Sequence, residues 1–156
     1  MSGKPVTPLA AADAIIEIGD KIVLIERLNE PPGHAIPGGF MDLGESAEEA
    51  AIREAKEETG LDVLLVDMLA LYSDPRRDPR GPVVTAMFIA KAPADARPQA
   101  GDDAKRAFLV DPDHLPDDLA FDHATILRDY LRYKKDGYKP TPQDLLARRE
   151  QPLNAT

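Results

Sequence analysis

Residues 39–61 read GFMDLGESAEEAAIREAKEETGL, and this stretch decides how the rest of the chain is read. From Ser46 to Thr59 it has no glycine or proline and is rich in alanine and glutamate, the composition of a strong helix. Ser46 followed three residues later by Glu49 is a capping-box pattern, and Gly60 suits a C-cap. The 23 residues carry seven acids against two bases, Arg53 and Lys56, a net charge of −5. Glu54, Glu57 and Glu58 are spaced i, i+3, i+4 and so share one helix face, where like charges repel. Glu57 and Glu58 also sit at the end of the helix dipole that disfavours anions. Carboxylates gathered against these costs point to a hard cation such as Mg²⁺ or Mn²⁺. The plain alternative is a solvated acidic helix whose core face is Ala47, Ala50, Ala51, Ala55 and Ile52. Two features favour the cation site. Gly38-Gly39 lies just upstream, where glycine lets a main-chain carbonyl approach a ligand closely. Arg53 is four residues from both Glu49 and Glu57 and can orient a carboxylate.

Outward from this segment, the chain has 156 residues, the size of one domain. It has no cysteine, which excludes disulfides, thiolate zinc sites and a cysteine nucleophile. The net charge of −9 argues against general binding to nucleic acid or an anionic membrane surface. Residues Met1 to Pro8 hold no long apolar run, so no secretory signal is expected, and no stretch approaches the roughly 18 apolar residues of a membrane span. A soluble cytoplasmic protein is the expectation.

The 15 prolines leave two free windows, 38–74 and 117–139, where long regular elements can form. Val6 to Ile18 and Lys21 to Leu28 read as a hairpin turning at Gly19-Asp20. Asn29 to Pro37 reads as a loop, Leu61 to Tyr72 as one strand or a bent pair, and Val83 to Ala90 as a buried strand. A polar loop follows from Ala92 to Lys105, then a short strand at Ala107 to Val110. Asp122 to Lys135 places Ile126, Leu127, Tyr130, Leu131 and Tyr133 at helical spacing. Thr141-Pro142 opens a last short helix, and Gln151 to Thr156 reads as frayed. This order predicts an α+β fold with a mixed sheet flanked by helices.

The fixed positions of residues 39–61 follow the pattern G-x5-E-x7-R-E-U-x-E-E-x-G-U, where U is apolar. Gly39, Glu45, Arg53, Glu54, Glu57, Glu58, Gly60 and Leu61 fill it, with Ala55 in the first apolar slot. The segment resembles the Nudix box, the signature of Nudix hydrolases. The resemblance implies a single Nudix domain over residues 1–156, an α/β/α sandwich with its core at about 5–138 and a short helix and tail at 139–156. It implies cleavage of a nucleoside diphosphate linked to another moiety, with two or three Mg²⁺ or Mn²⁺ ions. By motif, Glu54, Glu57, Glu58 and the Gly39 carbonyl would hold metal and Arg53 would orient a glutamate. The general base is a glutamate in such enzymes, here Glu57 or Glu58. An acid on the late loop is the other option, here Asp103. His34 stands where the family often has Trp, three residues before Pro37, and is given no catalytic role.

A second segment, Tyr72-Ser73-Asp74-Pro75-Arg76-Arg77-Asp78-Pro79-Arg80-Gly81, offers three arginines in an acidic chain, and arginine forks match phosphate oxygens. A proline-stiffened charged loop is the bland reading. Beside a Nudix box, Arg-Asp-Pro-Arg-Gly is similar to the ADP-ribose pyrophosphatase branch, as is Leu119 to Ala124. The expected reaction is ADP-ribose to AMP and ribose 5-phosphate, with Arg76, Arg77 and Arg80 on the phosphates and Phe40 or Tyr72 stacked on the adenine. Phe121 is expected in the core, Asp122 as a helix N-cap, and neither Asp122 nor His123 as a catalytic group. The branch is often dimeric, which allows for a homodimer. Two other readings stay open. One is a MutT-like hydrolase of nucleoside triphosphates or of another sugar nucleotide. The other is a non-catalytic ADP-ribose sensor, although such domains usually lose box glutamates.

Overall fold

The hairpin forms as β1 (Leu9–Ile18) and β2 (Lys21–Arg27), with Gly19 in the turn at φ +61°. The computed structural model describes residues 3–101 and 104–156. After the hairpin come β3 (His34–Ala35), β4 (Gly38–Phe40), α1 (Ala47–Thr59), β5 (Leu64–Tyr72), β6 (Val83–Lys91), β7 (Ala104–Val110), α2 (His123–Asp136) and α3 (Pro142–Ala147). A single 3-10 turn at Arg148–Glu150 follows. Among the described residues, no helix is long and apolar enough to cross a membrane.

β1 is the organising strand. It runs parallel to β6, with Ala12 beside Ala86 and Glu17 beside Lys91. It runs antiparallel to β2 and to β4, where Asp13 faces Gly38 and Ala12 faces Gly39. The sheet order is β3-β2-β1-β6-β5, with β4 on β1 and β7 on β2. One parallel pair among antiparallel ones makes the sheet mixed, as expected.

Side chains alternate across a strand, and β1 uses both faces. Ala14, Ile16 and Ile18 pack with Ala55 of α1, and Ala12 packs with Ala50 and Ala51. Alanines on the helix and on β1 let α1 lie close to the sheet. On the other face, Ile15, Ile22, Leu24, Met87 and Ile89 pack against Ile126, Leu127 and Tyr130 of α2. Burying each such large side chain contributes about 1.5–3 kcal/mol, and the two layers clamp the sheet into an α/β/α sandwich.

The capping signals are built as the sequence implies. Ser46 Oγ accepts from the Glu49 N–H at 3.1 Å while Glu49 Oε1 accepts from the Ser46 N–H at 3.0 Å. Gly60 closes α1 at φ +72°. Four expectations are corrected or refined. The Asn29–Pro37 loop contains β3, which pairs Ala35 with Ile25. β7 begins at Ala104 rather than Ala107, because β2 offers a full edge and Glu26 pairs with Arg106. Asp122 stands at the N-cap of α2 as expected but makes no cap hydrogen bond, since its carboxylate is taken by Arg77. The final residues are not frayed: Asn154 and Ala155 are hydrogen-bonded to the start of α2.

Candidate active site

α1 turns the edge that carries Glu54 and Glu58 toward β4, and both carboxylates are buried. Glu58 Oε2 accepts from the Gly38 N–H at 3.3 Å. A Cβ on Gly39 would lie 2.7 Å from the Glu54 carboxylate, and one on Gly38 would lie 1.9 Å from Asp13 Oδ1. Glycine is therefore required twice, so that main chain and carboxylates can share one small space. Burial pushes the Glu58 carboxyl up to about 9, helped by the negative charges of Glu54 and Asp13. Burial also raises Glu54, against the opposing pull of Arg53. Glu57 is half-exposed.

Arg53 ties this cluster together. Its Nε and Nη2 fork onto Glu45 at 3.0 and 2.6 Å. Its Nη1 donates to Glu54 Oε1 at 2.8 Å and Glu57 Oε2 at 3.2 Å. Its Nη2 also reaches the Phe40 carbonyl at 3.0 Å. The Arg53 hydrogen bonds, then the Asp42 N–H, hold Glu45 down at about 2. Of the two glutamates that its spacing allows, Arg53 meets Glu57, while Glu49 is spent on the cap.

The donor set fits a hard divalent cation. All its donors are oxygens, and two buried carboxylates beside Asp13 gather more negative charge than the site neutralises. Among the described residues no three such groups yet converge as a closed cage. Arg53 holds one oxygen each of Glu54 and Glu57 and touches the second oxygen of neither.

Two buried residues stand behind the carboxylates: Asp13, which the sequence reading did not single out, and His123, to which it gave no catalytic role. Asp13 projects from β1, and His123 Nε2 lies 3.5 Å from its Oδ2. His123 Nδ1 accepts from the Ile36 N–H at 3.0 Å, which leaves the proton on Nε2, facing Asp13. His123 thus links α2 to the segment that carries Gly38 and Gly39. Nothing local in the sequence marked Asp13; only the register that sets it opposite Gly38 does.

The site opens into a cavity of about 330 Å³ whose lining includes Asp13, Glu54 and Glu58 together with Arg27 and Arg80. The arginine-rich loop is sorted by the structure. Arg80 lies at this cavity, forked onto Asp78 at 2.8 Å and stacked over Phe40 at 5.3 Å. Arg77 lines the wall but is buried, with its guanidinium on Asp122 at 2.9 and 3.1 Å and on Thr85 at 2.6 Å, which makes it a brace. Arg76 does not line the cavity. It forks onto Asp74 and donates to the Gln151 and Arg148 carbonyls. Tyr72 is likewise corrected: it is buried, with its hydroxyl donating to Asp129 at 2.8 Å, and cannot stack on a ligand. Phe40 remains, 39% exposed at the cavity. Phe121 joins it: partly buried and packed against the small core cluster of Ile25, Ala35 and Ala120, it also lines the cavity, with Arg27 4.9 Å and Arg80 5.7 Å from its ring centre. Burial and then the Arg80 cation push the pKa of Arg27 down. Asp103 lies outside the described residues. His34 pairs with Asp118 and meets the edge of Phe108, away from the carboxylates.

The NUDIX domain family matches residues 7–130. The chain belongs to the NUDIX family. Within the family it is 49% identical over 129 residues to an ADP-ribose pyrophosphatase of Methanocaldococcus jannaschii, covering 81% of this chain and 75% of that protein. It is 34% identical over 131 residues to the ADPR responsive transcriptional repressor NtrR of Acinetobacter baylyi, covering 78% of this chain and 52% of the repressor. Among solved Nudix structures, a MutT/nudix family protein from Enterococcus faecalis superposes with a TM-score of 0.73 at 28% identity, over 94% of this chain and 69% of that one. The α/β/α sandwich is therefore the family fold.

Proposed function

We propose that this Nudix protein hydrolyses ADP-ribose to AMP and ribose 5-phosphate with Mg²⁺ or Mn²⁺. The observation that carries the reading is the 49% identity to an ADP-ribose pyrophosphatase across most of both chains. The site chemistry agrees with it. Glu54, Glu57, Glu58 and the Gly39 carbonyl would hold the divalent ions. When bound, such ions neutralise diphosphate oxygens and favour ionised water. Arg53 keeps Glu54 and Glu57 aimed into the site, and Glu45 keeps Arg53 there. Glu57, held through its Oε2 and half-exposed, would accept the proton of the attacking water if the metals leave one of its oxygens free. Arg27 and Arg80, which line the same cavity, supply positive charge for phosphate oxygens. The faces of Phe40 and Phe121 offer stacking for adenine.

The sensor reading has a specific observation behind it, the 34% identity to an ADP-ribose-responsive repressor. The full carboxylate set and its intact Arg53 tie support turnover over sensing. One experiment separates the readings: a panel of ADP-ribose, other sugar nucleotides and 8-oxo-dGTP with Mg²⁺, with the products identified. AMP and ribose 5-phosphate from ADP-ribose, formed faster than any other product, is the expected result. Tight ADP-ribose binding without turnover would favour the sensor, and faster cleavage of 8-oxo-dGTP would favour the MutT-like reading.

Arg80→Ala is expected to raise KM for ADP-ribose about tenfold, the size of one lost charge-assisted hydrogen bond. Steady-state kinetics would check this, and an unchanged KM would mean that Arg80 does not meet the substrate.

A further inference from the structure

We propose that the C-terminal segment 141–156 is a strap that sets the nucleotide-binding wall of the cavity, with Asn154 as the residue that positions Phe121. The proposal rests on the reading that the cavity takes a nucleoside diphosphate. The segment lies beyond residues 7–130, which match the family.

Phe121 has φ +58°. A bulky side chain rarely adopts this left-handed conformation, and it persists where neighbours over-determine it. Its ring stands in the cavity between Arg27 and Arg80, so any relaxation of that backbone would move the ring out of the wall. The holding group is Asn154. Its Nδ2 donates to the Phe121 carbonyl at 2.8 Å. Its Oδ1 accepts from the Thr125 hydroxyl at 2.9 Å and the Thr125 N–H at 3.3 Å. Asn154 is itself at φ +63°, a conformation that asparagine tolerates better than most residues. Arg128 Nη2 then fixes the strap by donating to the carbonyls of Asn154 and Ala155 at 3.1 and 3.0 Å.

The same segment also holds the loop that carries Arg80. Arg76 donates to the Gln151 carbonyl at 2.8 Å, and Arg149 donates to Asp74 at 2.9 Å. These two contacts anchor the loop that carries Arg80. Arg148 fastens the strap to the body through a fork onto buried Asp129, 2.8 Å on each side. Phe121 and the loop that carries Arg80 are thus tied to one short stretch of chain. Arg76 serves the site from outside it.

The test is Asn154→Asp. The aspartate keeps the acceptor for Thr125 and tolerates the left-handed backbone, but it has no donor for the Phe121 carbonyl. KM for ADP-ribose is expected to rise about three- to tenfold, the range of one net hydrogen bond, with kcat within about twofold of the parent. Hydrogen exchange of the amides in 119–125 is expected to quicken. In a Phe121→Ala background, Asn154→Asp is expected to add nothing further to KM, because the two residues act as one unit. An unchanged KM, an additive effect with Phe121→Ala, or unaltered exchange at 119–125 would each overturn the proposal. So would a lower melting temperature with unchanged KM, since that is the mark of a purely structural tie. If the parent protein cleaves another diphosphate and not ADP-ribose, the substrate reading fails by itself. The same KM comparison then runs on the substrate it does cleave.

Discussion

Glu58→Gln is expected to lower kcat about a thousandfold or more while leaving the protein folded. The side chain is nearly isosteric, and Gln can still accept from the Gly38 N–H that meets Glu58 Oε2. What it removes is a negative charge at the place where the site would hold a divalent ion. Each 1.36 kcal/mol of lost transition-state stabilisation costs about a factor of ten, and such an ion is worth several kcal/mol. A kcat near the parent value in both Glu57→Gln and Glu58→Gln would remove α1 as the metal-holding element. Circular dichroism would show whether the fold survives.

The same substitution has a stability signature of fixed sign. Burial first, then Glu54 and Asp13, raise the folded Glu58 carboxyl to about 9. In the unfolded chain the group titrates near the ordinary glutamate value, about 4.3. Between those two values the folded state keeps a proton that the unfolded state has released, so stability falls as pH rises across this window. In chelator, the parent protein is therefore expected to lose melting temperature from pH 5 to pH 8 more steeply than Glu58→Gln. Adding Mg²⁺ should flatten the parent's curve. Parallel curves for the two proteins in chelator would mean that Glu58 is not held neutral by its surroundings.

The carboxylate helix was legible because its chemistry is local. Glu54, Glu57 and Glu58 share a face by helix geometry, and Ser46, Glu49 and Gly60 mark its ends in the sequence itself. The rest of the site is assembled by strand register. Asp13 becomes part of it because β1 runs antiparallel to β4 and faces Gly38. His123 arrives only when α2 packs on that face. Tyr72 was misplaced for a related reason. β5 has irregularities between Leu65 and Asp67 and between Met68 and Ala70, and each bulge resets which face the following side chains occupy. Alternation therefore gave no guide to the end of the strand. The three arginines looked equivalent in the sequence, yet each has its own acid: Asp74 for Arg76, Asp122 for Arg77, Asp78 for Arg80. Asp74-x-Arg76 and Asp78-x-Arg80 are visible as a repeated spacing of two. The Arg77 partner comes from the far end of the chain and is not.

Arg53→Ala is the second substitution with a large expected effect, and it acts without touching a reacting atom. The guanidinium satisfies Glu45, Glu54, Glu57 and the Phe40 carbonyl together. Removing it leaves buried Glu54 with less compensation and frees Glu57 to turn into solvent, so the carboxylates lose their aim. A hundredfold or greater fall in kcat, about the cost of 3 kcal/mol of lost alignment, is expected, with a smaller change in KM. Arg53→Lys should recover little, because a lysine ammonium cannot fork onto Glu45 and still reach Glu54 and Glu57 in a plane. Acid stability provides the matching readout. Arg53 holds the folded Glu45 at about 2, so the pair contributes stability above the ordinary glutamate range and loses it as pH falls toward 2. The variant is expected to lack that acid-side slope. A Lys variant with parental kcat would show that charge alone, rather than the fork, holds the glutamates in place.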